Sequence, residues 1–287
     1  MSLEEARRNG LVVRYVNIMF DDGFKRVFGQ EANKDLLIAL LREILPDLDI
    51  QTLRLINVEN QGLGRDSKRS TFDVCCTTGD GKEIIVEMQV KKQEWFADRA
   101  VYYATLPIHR MVKKGQKKYK LRPIYFVSLL DFEMEHEHTP GPGEYEWRYS
   151  IREERCGEKL TNTLNFVFIE LSKFNKTEEE LCSLKEKWYF CFRHMKDLSK
   201  RPEVLQEAIF KRLFDVTEIE SMNVSDRISY IKSMTTERDI YNQMDYARKE
   251  GVAQGKAEIA RNFLAAGVDI KIIASCTGLT EEQIKAL

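Results

Sequence analysis

The chain has 287 residues, of which 43% are hydrophobic and 32% are charged, and its formal net charge is −1. The length allows one large domain or two smaller ones, and the hydrophobic content is sufficient for a sizeable core. The balanced charge excludes a protein that binds nucleic acid through a globally basic surface, so any such contact needs a local basic patch.

The apolar runs and the cysteines restrict the class of protein further. No apolar run approaches the ~18–20 residues of a membrane-spanning helix, and the first residues lack the pattern of a signal peptide. The six cysteines have the spacing of neither a disulfide framework nor a zinc site. We therefore expect reduced thiols, mostly in the core, and a cytoplasmic protein without a membrane segment.

Two helices and a strand are predicted in the first 60 residues. Apolar residues recur at helical spacing after the acidic pair Asp21 and Asp22, one of which is expected to cap a short helix. The alternative is that this acidic pair lies near a functional site. An amphipathic helix over residues 33–45 and a strand over residues 52–58 follow.

A polar loop is predicted over residues 61–70, and it contains Arg65, Lys68 and Arg69. One interpretation is a solvated connection between two strands. The other is a lip whose cations contact a phosphate beside the residues that follow.

Residues 71–90 predict a β-hairpin. Both halves are rich in β-branched residues, and a Gly-Asp-Gly turn separates them. A three-residue loop with Gly81 in the left-handed conformation places Asp73 opposite Glu87. A two-residue loop slips the register by one and separates the two acids onto opposite faces. We prefer the three-residue loop because it leaves an opposite face that is wholly apolar. That face carries Phe72, Val74, Cys76, Ile84, Val86 and Met88.

The facing carboxylates of Asp73 and Glu87 predict a cation site. Two charges ~5 Å apart at an effective dielectric constant of about 20 repel each other by about 3 kcal/mol. Either one carboxyl takes a proton or a cation lies between them, and carboxylate ligands suit Mg²⁺ or Mn²⁺. The competing interpretation is a partly exposed strand pair with two solvated acids. The near-continuous apolar runs around both acids favour the cation site.

A helix is predicted over residues 93–112. Phe96, Arg99 and Tyr103 share one of its faces. The two aromatic residues are expected in the core, whereas Arg99 either pairs with a surface acid or faces a phosphate.

A basic run follows this helix at Lys113, Lys114, Lys117 and Lys118. Such a run is commonly the solvated end of a helix, where cations also suit the helix dipole. The alternative is a patch that contacts a nucleic-acid backbone.

Three further strands are predicted over residues 123–130, 145–151 and 164–171. The loop between the first two contains His136-Glu137-His138, and we expect it to be exposed because proline and glycine surround it. The order helix, strand, hairpin, helix, strand predicts an α/β fold with a mixed central β-sheet flanked by helices.

The chain from residue 177 onward is predicted to be helical, with a boundary near Pro202. We therefore expect one domain over residues 1–200 and a helical C-terminal region over residues 201–287. The alanine-rich stretch 244–266 indicates a mobile or self-associating helix, through which a homodimer can form.

The last 18 residues predict two short helices, with a turn at Gly278 and with Thr280 as the cap of the second helix. A helix-turn-helix is one interpretation, and a small packing hairpin is the other. The packing hairpin is favoured because Glu281 and Glu282, at the start of the second helix, repel DNA phosphates.

An ordered set of motifs resembles a known family. The strand at Asp73, the glycine turn and the Ile-Val-Glu-Met-Gln segment at 85–89 resemble the core of PD-(D/E)XK nucleases. More narrowly, the chain is similar to the bacterial family of recombination-promoting nucleases and transposases (Rpn type). The resemblance covers nearly the whole chain. The other matching segments are residues 20–29, 96–103, 123–125, 130–132 and 255–258.

This resemblance implies a restriction-endonuclease-like fold and a metal-dependent DNA endonuclease associated with mobile elements. Asp73 and Glu87 would hold Mg²⁺ or Mn²⁺, with the Met88 carbonyl as the third protein ligand, and hydrolysis of DNA would leave a 3′-hydroxyl and a 5′-phosphate. The alternative is a catalytically inactive descendant that binds DNA or oligomerises. The polar residues at the site positions favour the enzyme.

Gln89 departs from the general PD-(D/E)XK pattern, which has a lysine at this position. An amide can orient water through a hydrogen bond but carries no charge. Lys91 lies on the same face about 6–7 Å further along the strand, and it is the candidate for the missing catalytic charge. The pattern also predicts that Gln89→Lys is tolerated or raises activity.

Overall fold

The computed structural model describes residues 3–10, 14–56, 72–112, 120–141 and 143–287. The chain forms two compact units, Met1–Tyr230 and Ile231–Leu287. The first unit contains a six-stranded sheet with the strand order β1-β2-β3-β4-β6-β5. The strands are β1 (Leu53–Leu55), β2 (Val74–Thr78), β3 (Glu83–Gln89), β4 (Ile124–Leu130), β5 (Glu146–Ser150) and β6 (Leu164–Glu170). The helices are α1 (Leu3–Arg8), α2 (Asp21–Phe28), α3 (Lys34–Ile44), α4 (Phe96–Met111), α5 (Leu184–His194), α6 (Ala208–Thr217), α7 (Val224–Ala265), α8 (Ile270–Thr277) and α9 (Glu281–Lys285).

The sheet is mixed, as the sequence predicts. β3 pairs with β4 and β4 pairs with β6 in parallel, whereas β2 is antiparallel to both of its neighbours. The parallel pairing of β3 and β4 requires a long crossover, which α4 supplies. The carboxyl ends of these two strands therefore lie at one edge of the sheet, where Gln89 is paired with Leu130. The α/β fold predicted from the order of elements is confirmed.

Helix α2 is anchored by an aromatic layer. The rings of Phe24 and Phe28 lie 6.3 and 5.7 Å from that of Phe192 on α5, and all three residues are buried. A Cβ atom at Gly23 would lie 2.1 Å from the carbonyl oxygen of Asn17. Only glycine therefore allows α2 to approach the preceding turn this closely, and the helix has a fixed position in the first unit.

Helix α4 packs on a second apolar cluster. Its residues Phe96, Ala100 and Ala104 are buried together with Ile85 of β3 and Phe126 of β4. The predicted core position of Phe96 is confirmed. This packing places the start of α4 beside the carboxyl end of β3.

The loop after β4 differs from the prediction at His136. The side chain of His136 is only 5% exposed, and its Nε2 lies 2.9 Å from Oε1 of the fully buried Glu170. Its ring stacks on that of Trp147 with centroids 3.8 Å apart. His138 is exposed, as expected. The prediction of a fully exposed loop was wrong for His136, because a buried carboxylate on β6 and an indole on β5 hold it in the fold.

The cysteines are free thiols throughout the chain. Cys75, Cys76 and Cys191 are buried, and the remaining three are exposed, so the expected core position holds for half of them. Among the residues that the structure describes, no helix is both long and apolar enough to cross a membrane.

Residues 208–230 pack onto the N-terminal segment of the first unit. The backbone amide of Val16 donates to the carbonyl of Thr217 at 2.8 Å, and the amide of Asn17 donates to the Tyr230 hydroxyl at 2.8 Å. The ring of Tyr15 meets that of Phe214 edge-on at 4.9 Å. The sequence predicts a domain boundary near residue 200, and these contacts lead us to propose the later boundary after Tyr230 for dissection of the chain.

A chain that ends after Tyr230 is expected to fold, whereas one that ends at residue 200 is expected to lose stability. The shorter chain exposes the apolar surface that α6 covers and loses backbone partners of the N-terminal segment. Thermal unfolding followed by circular dichroism compares the two truncations with the full chain. Equal midpoints for both truncations would contradict this boundary.

The second unit has a small core of its own. Ala260 of α7, Ile273 of α8 and Ile284 of α9 are fully buried against one another. Gly278 ends α8 in the left-handed conformation with φ 69°, and the Thr280 hydroxyl caps α9 in a capping box with Gln283. Both short helices, the turn and the cap are as predicted.

Candidate active site

The hairpin of β2 and β3 has the predicted register. Val74 faces Val86 and Thr77 faces Glu83, so one further step places Asp73 opposite Glu87. The loop has three residues, 79–81, because the backbone amide of Thr78 donates to the Lys82 carbonyl at 2.9 Å and makes the last hydrogen bond between the two strands. Gly81 has the expected positive φ of 89°. The register that brings the two acids together is therefore confirmed.

The apolar face of the hairpin is also as predicted, with one exception. Every strand residue assigned to it is buried. Phe72 precedes β2, and its ring lies 5.2 Å from that of Tyr103 on α4. It thus belongs to the cluster that contains Cys75 and Ile85. Strict alternation fails at Phe72 because the residue lies before the first paired residue of the strand.

The backbone of β3 holds the Asp73 carboxylate. The amide of Met88 donates to Oδ2 of Asp73 at 2.6 Å. The side chains of Asp73 and Glu87 are each only 9% exposed. Oε2 of Glu87 is buried and has no hydrogen-bond partner. A buried acceptor without a partner is costly, and a cation beside it would remove that cost.

The electrostatics of the pair also favour a cation. Burial raises the pKa of Asp73 well above its usual range, and the neighbouring carboxyls of Asp21 and Glu87 raise it further. Burial raises the pKa of Glu87 to about 7, although Arg99 acts in the opposite direction. Both carboxyls therefore resist full ionisation when they are close together in a dry site.

Helix α2 adds two charged groups to the site. They are Asp21, whose place near a functional site was one of the two alternatives, and Lys25, which the sequence pattern did not assign. The N-cap residue is Phe20 and has no side-chain cap, so the prediction that an aspartate caps the helix was wrong. Asp21 instead lies in the first turn, 2.5 Å from Nζ of Lys25. Burial opposes the shift, but the neighbouring Asp73 and Lys25 groups lower the pKa of Asp21. Nζ of Lys25 lies 3.5 Å from Oδ1 of Asp73. The i, i+4 spacing of Asp21 and Lys25 signals their pairing, but nothing local signals the contact with Asp73.

Helix α4 contributes Arg99 to the same site. Its guanidinium lies 3.9 Å from Oε1 of Glu87 and donates to the side-chain oxygens of Gln89 and Gln93. It also lies against the rings of Phe96 and Tyr103, at 5.5 and 5.7 Å. The acid near Arg99 is therefore the site acid rather than a surface acid, and Gln89 is an acceptor for Arg99.

The remaining predicted site residues are Lys91 and the candidates for DNA contact. Lys91 lies two residues beyond the end of β3 and is half-buried, and its catalytic role stays a prediction. The other candidates for DNA contact lie outside the described residues. They are Arg65, Lys68, Arg69, Lys113, Lys114, Lys117 and Lys118.

The residues present fit a small divalent cation. In the described part of the chain, no group of three or more histidine, cysteine, aspartate or glutamate side chains has the geometry of a metal site. Asp73 and Glu87 offer two carboxylates, and the Met88 backbone faces the same side because its amide reaches Asp73. Mg²⁺ and Mn²⁺ accept oxygen ligands, and Mg²⁺ keeps several bound waters in proteins. Two carboxylates and one carbonyl, completed by water, therefore suit either ion.

Two models of protein families match the chain. Residues 18–247 match the family model described as PD-(D/E)XK nuclease family transposase. The chain belongs to this family. Residues 253–287 match the C-terminal HTH domain of the Rpn/YhgA-like nuclease family, so the resemblance inferred from the ordered motifs is confirmed. No curated protein and no solved structure matches the chain.

The second of these matches identifies the fold of α8 and α9, the two short helices at the end of the chain. It covers α8, α9 and the end of α7. A helix-turn-helix is thereby supported over the packing hairpin that the acidic start of α9 favoured. Glu281 and Glu282 favoured the wrong alternative, because the charge at one end of a helix does not identify the domain to which the helix belongs.

Without divalent metal, stability is expected to fall as the pH rises from about 4.5 to about 7. The pKa of Glu87 is about 7 in the folded protein, against an ordinary value of 4.5. Between these two pH values the folded chain retains a proton that the unfolded chain has released. Raising the pH therefore lowers the free energy of unfolding. Thermal unfolding in a chelator should show this slope, and the difference from Glu87→Gln isolates it. A parent and variant with the same slope would contradict the assignment to Glu87.

Divalent metal is expected to raise the unfolding temperature. Binding to the folded state alone adds RT ln(1 + [L]/Kd), about 1.4 kcal/mol at a tenfold excess over Kd. The gain should be absent in Asp73→Ala and should grow as the pH rises, because the ligands must release their protons. An undiminished gain in Asp73→Ala would place the metal elsewhere.

Proposed function

We propose that this protein is an Mg²⁺- or Mn²⁺-dependent DNA endonuclease, associated with mobile elements and located in the cytoplasm. The observation that carries the proposal is the pair Asp73 and Glu87, opposed where β2 begins and β3 ends, with Oε2 of Glu87 buried and unpartnered. The membership in a nuclease family supports the reaction class.

The site can assist attack of water on a phosphodiester. Asp73, Glu87 and the Met88 carbonyl would hold the cation, and the bound cation would supply Lewis-acid chemistry to the phosphodiester hydrolysis. A water oxygen forms a bond to phosphorus as the bond to the 3′ oxygen breaks. The proton of the water passes to solvent, and the leaving oxygen takes a proton to become the 3′-hydroxyl, so the phosphate stays on the 5′ end.

Gln89 and Arg99 have supporting roles in this proposal. The Gln89 side-chain oxygen accepts from Arg99, which orients the amide so that its NH₂ group can donate to water. Arg99 also holds a positive charge near Glu87 and so favours the ionised ligand. DNA affinity is proposed to come from lysine and arginine contacts to phosphates and from the C-terminal helix-turn-helix.

Plasmid nicking tests the proposal directly. Purified full chain is incubated with supercoiled plasmid in Mg²⁺, in Mn²⁺ and in a chelator. Conversion to open-circular or linear DNA is expected only with the divalent metals. No conversion with either metal, at protein concentrations that bind the plasmid, would overturn the nuclease function.

The second candidate function is a catalytically inactive module that binds DNA or oligomerises. Two observations favour it: a neutral Gln89 in the position of the family lysine, and the helix-turn-helix match over residues 253–287. Binding of plasmid without nicking in any metal would support this alternative. Self-association through the C-terminal helices is then measured by light scattering.

A further inference from the structure

We propose that Lys25 on α2 is the catalytic lysine of this site and contacts the scissile phosphate when DNA is bound. The inference rests on the proposed nuclease function and deepens it. The position that carries a lysine in the general PD-(D/E)XK pattern holds Gln89, whose side-chain oxygen accepts from Arg99. The charge has to come from another part of the chain.

Lys25 reaches the carboxylate pair from α2. Its Nζ lies 3.5 Å from Oδ1 of Asp73 and 2.5 Å from Oδ1 of Asp21. The side chain is 38% exposed, whereas that of Asp73 is 9% exposed. The ammonium therefore lies where a buried metal ligand meets solvent, which is the boundary that a DNA phosphate can approach.

The backbone around Lys25 is rigid enough for a catalytic role. Phe24, Val27 and Phe28 of α2 are buried, and the close approach of Gly23 to the Asn17 carbonyl fixes the first turn. A catalytic group on an anchored helix is positioned more accurately than one on a loop.

Two other cations near the site are less suited to the role. Arg99 is engaged by Gln89, Gln93 and two aromatic rings. Lys91 lies beyond the last residue of β3, where the alternation that placed it beside Gln89 no longer applies. A compact ammonium with three rotating donors can exchange Asp73 for a phosphate oxygen without losing its partner Asp21.

A divalent cation and Lys25 use the same carboxylate of Asp73. A cation bound to Asp73 lowers the attraction between that carboxylate and the ammonium, and the phosphate then becomes the better partner. Lys25 makes and breaks no covalent bond in this role, since it only stabilises negative charge on a non-bridging phosphate oxygen.

Lys25→Met tests the assignment, with Lys34→Met as the matched control. Lys34 pairs with Glu31 at 2.7 Å and is 34% exposed, so it resembles Lys25 in exposure and pairing but lies on α3. Cleavage of plasmid in Mg²⁺ is expected to fall by about 10²–10³-fold in Lys25→Met and to stay at the parent level in Lys34→Met. Lys25→Arg is expected to recover part of the rate.

The second readout separates catalysis from a structural role. Metal-induced thermal stabilisation should be equal to the parent or larger in Lys25→Met, because a cation that competes for Asp73 has been removed. If Lys25→Met loses both the metal-induced stabilisation and the cleavage activity, Lys25 only positions Asp73. That result would overturn the catalytic assignment. If Lys25→Met does not fold, Lys25→Gln supplies both readouts.

The outcomes also separate this inference from the nuclease function. Cleavage by the parent and by Lys25→Met at equal rates would overturn the role of Lys25 and leave the nuclease function in place. A loss in Lys91→Met alone would return the role to Lys91. A parent that cleaves in neither Mg²⁺ nor Mn²⁺ overturns both.

Discussion

Asp73→Ala and Glu87→Ala are each expected to lower DNA cleavage by at least about 10³-fold while DNA binding is retained. Each substitution removes a carboxylate that the proposed cation requires, and the Lewis-acid contribution is worth several kcal/mol. Binding depends on cations that contact phosphates, and neither change touches these. Removal of a negative charge beside the DNA backbone is expected to tighten binding slightly.

Asp80→Ala is the matched control for both variants. Asp80 lies in the turn of the same hairpin and is 54% exposed, at the opposite end from Asp73. Plasmid cleavage in Mg²⁺ and fluorescence anisotropy with labelled duplex measure the two properties separately. Cleavage that persists in both Asp73→Ala and Glu87→Ala would refute the site placed here, and a loss in Asp80→Ala as well would indicate a folding defect.

The pairing of Asp73 with Glu87 could be predicted because it depends on local chemistry. A Gly-Asp-Gly turn and a two-residue period in the side chains together allow one register in which an apolar face is buried. In the structure, Gly81 has the positive φ that the turn requires, and Val86 is buried on the apolar face. A signal of this kind needs no knowledge of the rest of the fold.

The partners of these carboxylates could not be predicted from the sequence. Lys25 reaches Asp73 across 48 positions of the chain because the aromatic layer fixes α2 beside the end of β3. Arg99 reaches Gln89 because α4 starts at that same edge. His136 is buried for a similar reason, since Glu170 and Trp147 arrive from other strands. In each case tertiary packing decides what a local pattern leaves open.

The C-terminal helices show the same division. Their extents and the cap at Thr280 follow from local signals. Their assignment to a helix-turn-helix comes from the match of residues 253–287 as a whole, against the local sign of Glu281 and Glu282. A contact of α9 with DNA phosphates is thus a proposal that has to accommodate these two carboxylates.

Gln89→Lys is expected to lower cleavage by about 10- to 30-fold. The family pattern alone suggests that this change is tolerated or beneficial, because it restores the usual charge. The structure reverses the expectation, since the Gln89 side-chain oxygen accepts a hydrogen bond from Arg99. A second cation ~4 Å from the guanidinium would repel it by about 4 kcal/mol at an effective dielectric constant of about 20. Arg99 is 26% exposed, so screening by solvent reduces this to about 1–2 kcal/mol, and the repulsion also moves Arg99 away from Glu87.

A double-mutant cycle tests this account of the neutral position. Gln89→Lys combined with Arg99→Gln exchanges the amide and the cation, and the double variant is expected to cleave faster than Gln89→Lys alone. Single-turnover cleavage rates of the parent, the two single variants and the double variant give the coupling energy. Activity of Gln89→Lys at or above the parent level would show that the site lacks a cation at this position. A loss that Arg99→Gln relieves would show that Arg99 excludes a second cation from position 89, in agreement with Lys25 as the catalytic cation on the Asp73 side of the pair.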